Sequence, residues 1–424
     1  MGTKRATYDN LDRLSNSPKE IIDEILKRLP IRDAIKTSFL SRGWRYRWMS
    51  MPVLVFDRRS DTFMRRNQVY GLESEQQINT KLVNFVNKVL LLHNTTLSKF
   101  ELNNFLLGDC SDLDQWILVL SRKKLNNLIL VFKPAYPNFN PYHVPGCLFS
   151  CQTLQTLELR NCVVKLPSQY EGFIALTSLY LFYVNLTNDT LETLVAKSSL
   201  LKRLRLVSCN DLTHIIIDAP NLEQVSIRGC CETISFRNAL KVRVACIQIL
   251  LPGFPMRFRL DQVLGGLNKV RHISIVQPFL EMDVAPRTYY HHLTFVQLAV
   301  NLKDSKQVIA VRYLCRSSPL LKTLEIKTIL DHSAHLYETN FWEARLRKEA
   351  DVFPCLKTVR LTGFKGVKHD MEFTHFILMN AVVLETFSIY WGDRALLEKL
   401  TAVEKMMQFE KASSKAKVIF NSKT

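Results

Sequence analysis

Apolar residues recur at two different spacings along this chain, and each spacing predicts a different element. Over most of its length, segments of the form apolar-x-x-apolar-x-apolar return at intervals of 21 to 35 residues. The middle of each segment alternates as a strand does, so it predicts a short strand with alternate residues buried. We predict twelve such units, which begin at Leu97, Leu125, Leu154, Leu176, Leu201, Leu222, Val244, Val270, Leu293, Leu321, Leu356 and Leu384.

The second spacing is helical and lies near the amino end. A helix is predicted to begin at Pro18 with Ser17 as its cap, and to end before Pro30. Asp33 and Ser41 predict the caps of a second and a third short helix. Three helices of this size bury only a small core, so the module needs a partner for its apolar surface. That partner is a groove on another protein or the rest of this chain.

The order of residues in this module resembles the F-box family. The shared pattern runs Pro-x-x-Ile-Ile-x-x-Ile-Leu-x-x-Leu-Pro from Pro18, followed by Asp-Ala and by Thr-Ser-x-Leu-Ser-x-x-Trp. The resemblance implies docking onto the Skp adaptor of a cullin-based ubiquitin ligase. It assigns adaptor contacts to Pro18, Ile21, Ile22, Ile25, Leu26, Leu29, Pro30, Leu40, Trp44 and Trp48.

The repeating segments resemble leucine-rich repeats, which stack their strands into one parallel sheet and form a solenoid. An ordinary α/β domain is the alternative, and the irregular units after Val244 distinguish the two less well. Cys162, Cys209 and Cys230 each follow the last apolar position of a repeat by three residues, the Asn/Cys position of the pattern. We therefore predict that all three thiols are buried, as small apolar residues usually are.

Residues 353–366, 372–385 and 412–420 together resemble the FBD domain, which follows an F-box and leucine-rich repeats in plant proteins. The predicted fold class is therefore α/β: a leucine-rich-repeat solenoid with a curved parallel sheet, an N-terminal three-helix F-box and a C-terminal FBD-like cap. The predicted boundaries are 9–57 for the F-box, 58–96 for a helical linker, 97–350 for the repeats and 351–424 for the FBD-like region.

Composition adds little that selects a chemistry. The chain carries 57 basic and 39 acidic residues, a formal net charge of +18, which attracts phosphate or acidic protein surfaces. The basic clusters are scattered and lie in no recognisable nucleic-acid-binding module, so nucleic acid is not favoured. We find no catalytic motif and no zinc-like spacing of cysteines, so we expect no enzyme activity, no metal and no cofactor. Nor do we expect a membrane partner, because the apolar stretches are too short.

The leading hypothesis is therefore a substrate-recognition subunit of an SCF-type (Skp-cullin-F-box) ubiquitin ligase. The partners implied are a Skp-type adaptor, a cullin reached through it, and an unknown protein substrate. Without a secretory leader, the expected location is the nucleus or cytoplasm. The alternative is a basic scaffold that binds nucleic acid or an acidic protein, with a degenerate F-box. Candidate substrate contacts point outward between the repeat leucines: Thr156, Glu158, Ser178, Tyr180, Arg203, Arg205, Gln224 and Ser226.

Overall fold

The computed structural model describes residues 17–57, 75–105, 111–133, 141–249, 258–259, 263–276, 280–281, 289–329, 353–392 and 396–421. The chain divides into two compact units, residues 1–176 and 177–424.

The first unit begins with the short helices that the sequence predicts. Helix α1 spans Lys19–Lys27 and α2 spans Ile31–Lys36, and 3-10 turns follow at Thr37–Phe39 and Arg47–Ser50. The structure corrects two details of these helices. Pro18 is the N-cap residue of α1, so that helix begins one residue later than predicted. Asp33 lies inside the first turn of α2 and pairs with Lys36 at 2.8 Å, so it does not cap that helix.

The predicted third α-helix is instead a run of tight turns. Backbone hydrogen bonds join Trp44 N–H to the Ser41 carbonyl and Arg47 N–H to the Trp44 carbonyl, which are i to i+3 contacts. Gly43 lies within this run and costs helix propensity, about 1 kcal/mol relative to alanine. The segment therefore closes as turns that end in the 3-10 helix.

A parallel sheet forms the body of the first unit. Its strands β1 (Val53–Asp57), β2 (Lys99–Phe105), β3 (Asn127–Phe132) and β5 (Thr156–Arg160) pair in that order. Helix α3 (Glu75–Leu92) lies between β1 and β2 in the chain, and α4 (Ser111–Ser121) lies between β2 and β3. A 3-10 turn (Gly146–Ser150) precedes β5, and β4 (Tyr142–His143) pairs with β6 (Cys162–Val163).

The second unit repeats the same parallel arrangement over more strands. The strands that pair in order are β7 (Ser178–Phe182), β8 (Arg203–Val207), β10 (Gln224–Gly229), β12 (Val244–Ile249), β14 (His272–Ile275), β16 (Phe295–Val300), β17 (Thr323–Thr328), β18 (Thr358–Phe364), β19 (Thr386–Trp391) and β20 (Lys417–Asn421). Two small parallel pairs accompany this sheet: β9 (His214–Asp218) with β11 (Thr233–Arg237), and β13 (Phe258–Arg259) with β15 (Leu280–Glu281).

Helices return between some of these strands. They are α5 (Asn188–Ala196), α6 (Ser305–Arg316), α7 (Lys368–Asn380) and α8 (Leu396–Met407). Thr187 and Asp304 cap α5 and α6, because their side-chain oxygens accept backbone N–H groups of the first turn. The FBD-like region contributes β18, α7, β19, α8 and β20, so it continues the parallel sheet instead of only covering its end.

The register of the sheets confirms the predicted fold class. Leu179, Leu204, Val225 and Ala245 are paired neighbours on successive strands of the second unit, and all are buried. This row makes the core, because no repeat can bury its apolar residues alone. Val225 is the fourth residue of the repeat that begins at Leu222, and its partner on the next strand is Ala245. That next repeat therefore begins at Val242, which is fully buried, and not at Val244 as predicted.

Candidate functional site

The N-terminal module has an interior of its own. Of the predicted adaptor contacts, Ile22, Leu26, Trp44 and Trp48 are buried, and Leu26 is 0% exposed. A side chain that its own fold already covers supports the surface from beneath and is not free to touch a partner. These four residues therefore hold the module together.

A second set of apolar side chains on the same module faces outward. Ile21 is 51% exposed, Leu40 63%, Tyr46 63% and Phe39 90%. Phe39 and Leu40 are neighbours at the end of the 3-10 turn, and Ser38 Oγ donates to the Arg45 carbonyl at 2.9 Å, which fixes Tyr46 next to the same turn. We call Ile21, Phe39, Leu40 and Tyr46 the docking residues. Several large apolar side chains exposed on one small module are typical of a binding surface.

The sequence assigned contacts to Ile21 and Leu40 but missed Phe39 and Tyr46. The available signal was that both are large and fall outside the apolar stripe of any helix. The remaining assigned residues differ in exposure: Ile25 and Leu29 are half-buried, whereas Pro18 and Pro30 are exposed at the helix starts. The residues assigned as adaptor contacts from the sequence therefore include both buried core residues and exposed surface residues.

A hydrogen-bond clamp joins this module to the first repeat. His93 is buried after α3, and its Nε2 donates to the Met51 carbonyl at 2.9 Å. Lys123 Nζ lies 3.2 Å from His93 Nδ1 and donates to the His93 carbonyl at 2.8 Å. Burial lowers the pKa of His93, and the nearby Lys123 charge lowers it further. The neutral imidazole is therefore the form that this arrangement holds.

Arg32 makes a further contact between the module and helix α3. Its guanidinium carbon lies 4.8 Å from the centroid of the Phe85 ring on α3, within cation–π range. Other segments of this chain thus cover part of the module. The sequence allowed this covering role for the rest of the chain or for a groove on another protein. Each docking residue nevertheless keeps at least half of its surface exposed.

The outward face of the first unit's sheet carries paired charges. Glu158 accepts from Arg160 at 2.6 Å and Glu101 accepts from Lys99 at 2.6 Å. Glu158, Arg160 and Glu101 line a shallow depression of about 410 Å³ together with Asp57, Asn103, Ile129 and Val131. Of the predicted substrate contacts in this unit, Thr156 and Glu158 are both half-buried on this face.

In the second unit, β7, β8 and β10 carry the other predicted substrate contacts. Arg203, Arg205 and Gln224 are exposed, and Tyr180 and Ser226 are half-buried. Ser178 differs from the prediction because it is fully buried. Its Oγ accepts a hydrogen bond of 3.0 Å from Arg203 Nε, so it positions that arginine instead of reaching a ligand.

Further along the same sheet, polar side chains form a connected ladder. Ser274 donates to Gln297 at 2.6 Å, Gln297 donates to Glu325 at 3.0 Å, and Arg360 donates to Glu325 at 2.8 Å. Beside this ladder, the His272 and Phe295 rings stack with centroids 4.0 Å apart. Burial lowers the pKa of His272. The charges of this part of the face are therefore balanced within the chain.

A groove of about 720 Å³ lies in the FBD-like region between α7 and α8. Apolar and charged side chains mix along it, and His375 lies against Phe409 with ring centroids 4.7 Å apart. At the start of α7, Asp370 is buried and accepts the Lys365 N–H at 2.7 Å. Burial raises the pKa of Asp370. Among the described residues, no cluster of His, Cys, Asp or Glu fits a metal ion.

The cysteines confirm the predicted packing role only in part. Cys162 and Cys209 are buried as predicted. Cys230 is exposed, and its neighbour Cys231 is buried instead. Strand β10 ends at Gly229, two residues past Ile227, whereas β5 and β8 end one residue past the last apolar position of their pattern. The buried cysteine accordingly comes one residue later, at Cys231.

Comparisons with known proteins agree with this architecture. Residues 113–326, half of the chain, match the family model "FBD-associated F-box protein At5g56370, LRR repeats". Residues 18–56 match the F-box domain and residues 351–389 match FBD. The chain is 29% identical over 435 residues to the F-box/FBD/LRR-repeat protein At1g13570 of Arabidopsis thaliana, with 96% of this chain and 98% of that protein covered.

A second Arabidopsis thaliana relative is the F-box/FBD/LRR-repeat protein At5g56420, 23% identical over 439 residues, with 97% of this chain and 99% of that protein covered. An internalin (inlF) crystal structure from Listeria monocytogenes aligns with a TM-score of 0.39 and 12% identity, over 80% of this chain and 94% of that one.

A parallel repeat sheet that follows a short helical module is typical of protein-interaction scaffolds. The chain belongs to the plant F-box/FBD/leucine-rich-repeat family. F-box and leucine-rich-repeat proteins are typically adaptors rather than enzymes. None of the helices described here has the length and apolar character that crossing a bilayer demands.

Proposed function

We propose that this chain is the substrate-recognition subunit of an SCF-type ubiquitin ligase. In this proposal the F-box docks a Skp-type adaptor and through it a cullin, and the repeat sheet holds a target protein for ubiquitination. The observation that carries the proposal is the exposure of the docking residues on a module whose interior is already complete. The chain supplies proximity and orientation, and the chemistry belongs to its partners.

The docking residues have the properties that an adaptor groove requires. Phe39 and Leu40 together present two large apolar side chains from one rigid turn, so ordering them on binding costs little conformational entropy. Covering a large apolar side chain is worth about 1.5–3 kcal/mol. The buried residues of the same module, Leu26 and Trp44 included, form the interior that maintains its fold. Contact and support are thus assigned to different residues.

The repeat sheet is the proposed target-binding surface. Its outward positions in both units combine exposed polar side chains with backbone that the sheet holds rigid, which suits recognition of another protein. We place the complex in the nucleus or cytoplasm. The thiols support a reducing location, because all the described cysteines are free.

Co-expression with a Skp-type adaptor tests this proposal. The full chain and the adaptor should copurify and elute together in size-exclusion chromatography, with a light-scattering mass equal to one copy of each. Adding a cullin and its RING partner should shift the complex to a larger mass. If chain and adaptor elute separately while the chain remains folded by circular dichroism, the proposal fails.

A further inference from the structure

Three arginines share one face of the neighbouring strands β8 and β10. Arg203 and Arg205 alternate with the buried Leu204 and Leu206, so both point to the outward face. Arg228 of β10 alternates in the same way, and it lies beside Val207 of β8 in the parallel register. All three arginines are exposed. We call them the arginine face.

No described carboxylate neutralises the arginine face. Arg203 donates to the neutral Ser178 hydroxyl, and the Arg205 guanidinium carbon lies 5.4 Å from the centroid of the Phe182 ring on the neighbouring strand β7. Within the described part of the chain, no ion pair forms at Arg228 or at either of the other two. Gln224 and Ser226, the residues of β10 that pair with Arg203 and Arg205, are also uncharged.

Two other outward arginines of the sheets are paired, in contrast to the arginine face. On the later strands Arg360 is paired with Glu325 at 2.8 Å, and in the first unit Arg160 is paired with Glu158 at 2.6 Å. Three like charges on adjacent strands repel one another unless an anion lies between them. The arginine face therefore offers an anionic ligand three cationic partners that no described carboxylate neutralises.

We propose that the arginine face binds an extended acidic segment of the target protein, with carboxylates at alternate positions. This inference rests on the proposed function, since it names the class of target. Alternate side chains of an extended peptide are about 6.6–6.8 Å apart, which is also the spacing of Arg203 and Arg205 along their strand. Each guanidinium presents a planar fork of N–H donors that matches a carboxylate.

The surroundings favour a short acidic peptide over nucleic acid. The Phe182 ring is buried beneath Arg205, so it is not free to stack on a base. A longer polyanion that continued across the sheet would meet the carboxylate of Glu325 on β17. A peptide confined to β8 and β10 meets only the three arginines and neutral side chains.

The test measures fluorescence anisotropy of the full chain with a short labelled peptide of alternating Glu and Ser, and with the same peptide carrying Gln in place of Glu. The Gln peptide should bind about tenfold more weakly or worse, the effect of losing one charged hydrogen-bonded pair. R205E/R228E should lose about tenfold or more in affinity for the Glu peptide. R237E/K241E makes the same change in net charge away from the arginine face, and it should stay within about twofold.

Several outcomes overturn the inference: equal affinity for the two peptides, unchanged binding by R205E/R228E, or an equal loss in both double variants. A phosphoserine peptide or single-stranded DNA that binds about tenfold more tightly than the Glu peptide also overturns it. Thermal unfolding confirms that each variant is folded, and R205Q/R228Q replaces the reversal if that variant is unstable. Adaptor capture by R205E/R228E should equal wild type, so failure of the proposed function and failure of this inference are separable.

Discussion

Replacing Phe39 with alanine should weaken adaptor binding without weakening the fold. Phe39 is 90% exposed, so its ring contributes almost nothing to the free energy of unfolding, and surface substitutions of this kind stay within about 0.5 kcal/mol. An adaptor groove that covers the ring removes most of its apolar surface from water. At about 25 cal/mol per Å² this is worth about 2–3 kcal/mol, a loss of about 30- to 150-fold in affinity.

The assay is biolayer interferometry of the full-length chain against purified Skp-type adaptor, paired with thermal unfolding of each variant. Leu91 of α3 is 84% exposed and lies outside the F-box, so Leu91→Ala is the matched control and should bind as wild type does. Leu26→Ala makes the opposite case, because Leu26 is fully buried. That substitution should cost about 2.7–5 kcal/mol of stability and lose binding through loss of the module.

The reasoning is refuted if Phe39→Ala binds the adaptor within about twofold of wild type, which is less than about 0.5 kcal/mol. It is also refuted if Phe39→Ala lowers the melting temperature as much as Leu26→Ala does. In the first case the exposed ring is not a contact. In the second it belongs to the core of the module.

Three further predictions concern the scaffold. His93→Gln should reduce the acid sensitivity of the fold: the folded-state pKa of His93 lies below its ordinary value, so wild type loses stability as pH falls below about 6.5, measured by thermal unfolding at several pH values. Gly363→Ala should destabilise by about 1–3 kcal/mol in urea, because the glycine has φ of +84° and a Cβ would lie 2.6 Å from Thr328 Oγ1. Native alkylation with iodoacetamide should modify exposed Cys230 but not Cys209, whose pKa burial raises to about 11.

Each of these predictions has a control and an outcome that contradicts it. If His93→Gln has the same pH dependence as wild type, protonation of the clamp does not limit stability; His272 stays unchanged in both proteins and supplies the background. Gly43→Ala meets only Ser41 Oγ at 3.6 Å, so a loss as large as that of Gly363→Ala would show that steric contact is not the cause. Equal alkylation of Cys209 and Cys230 would mean that the repeat opens in the native state.

The repeat architecture was predictable because its signal is simple: buried positions return with each strand. Two features were harder to find for physical reasons. Ala245 fills an inward position with a small side chain, so the unit that begins at Val242 shows a weak pattern. Met51, Leu54 and Phe56 also follow the repeat pattern, and Leu54 and Phe56 lie in β1. They fall within the predicted F-box boundaries, 9–57, so this strand was not predicted as a repeat.

The functional surfaces were only partly predictable. An apolar stripe identifies a helix face but does not say whether the fold or a partner covers it, so Leu26 and Ile21 are indistinguishable in the sequence and opposite in the structure. The arginines of β8 were identified as outward residues. That they lack counter-ions among the described residues depends on which strands lie beside them, and this information is absent from the spacing of residues along the chain.

Hydrogen exchange of the full-length chain, with and without purified Skp-type adaptor, tests the central claim most directly. The account predicts that adaptor slows exchange in peptides covering residues 17–50, most of all in the turn that carries Phe39 and Leu40, and leaves β8 and β10 unchanged. Unaltered exchange over residues 17–50 at saturating adaptor, or protection on the sheet strands instead, would contradict it.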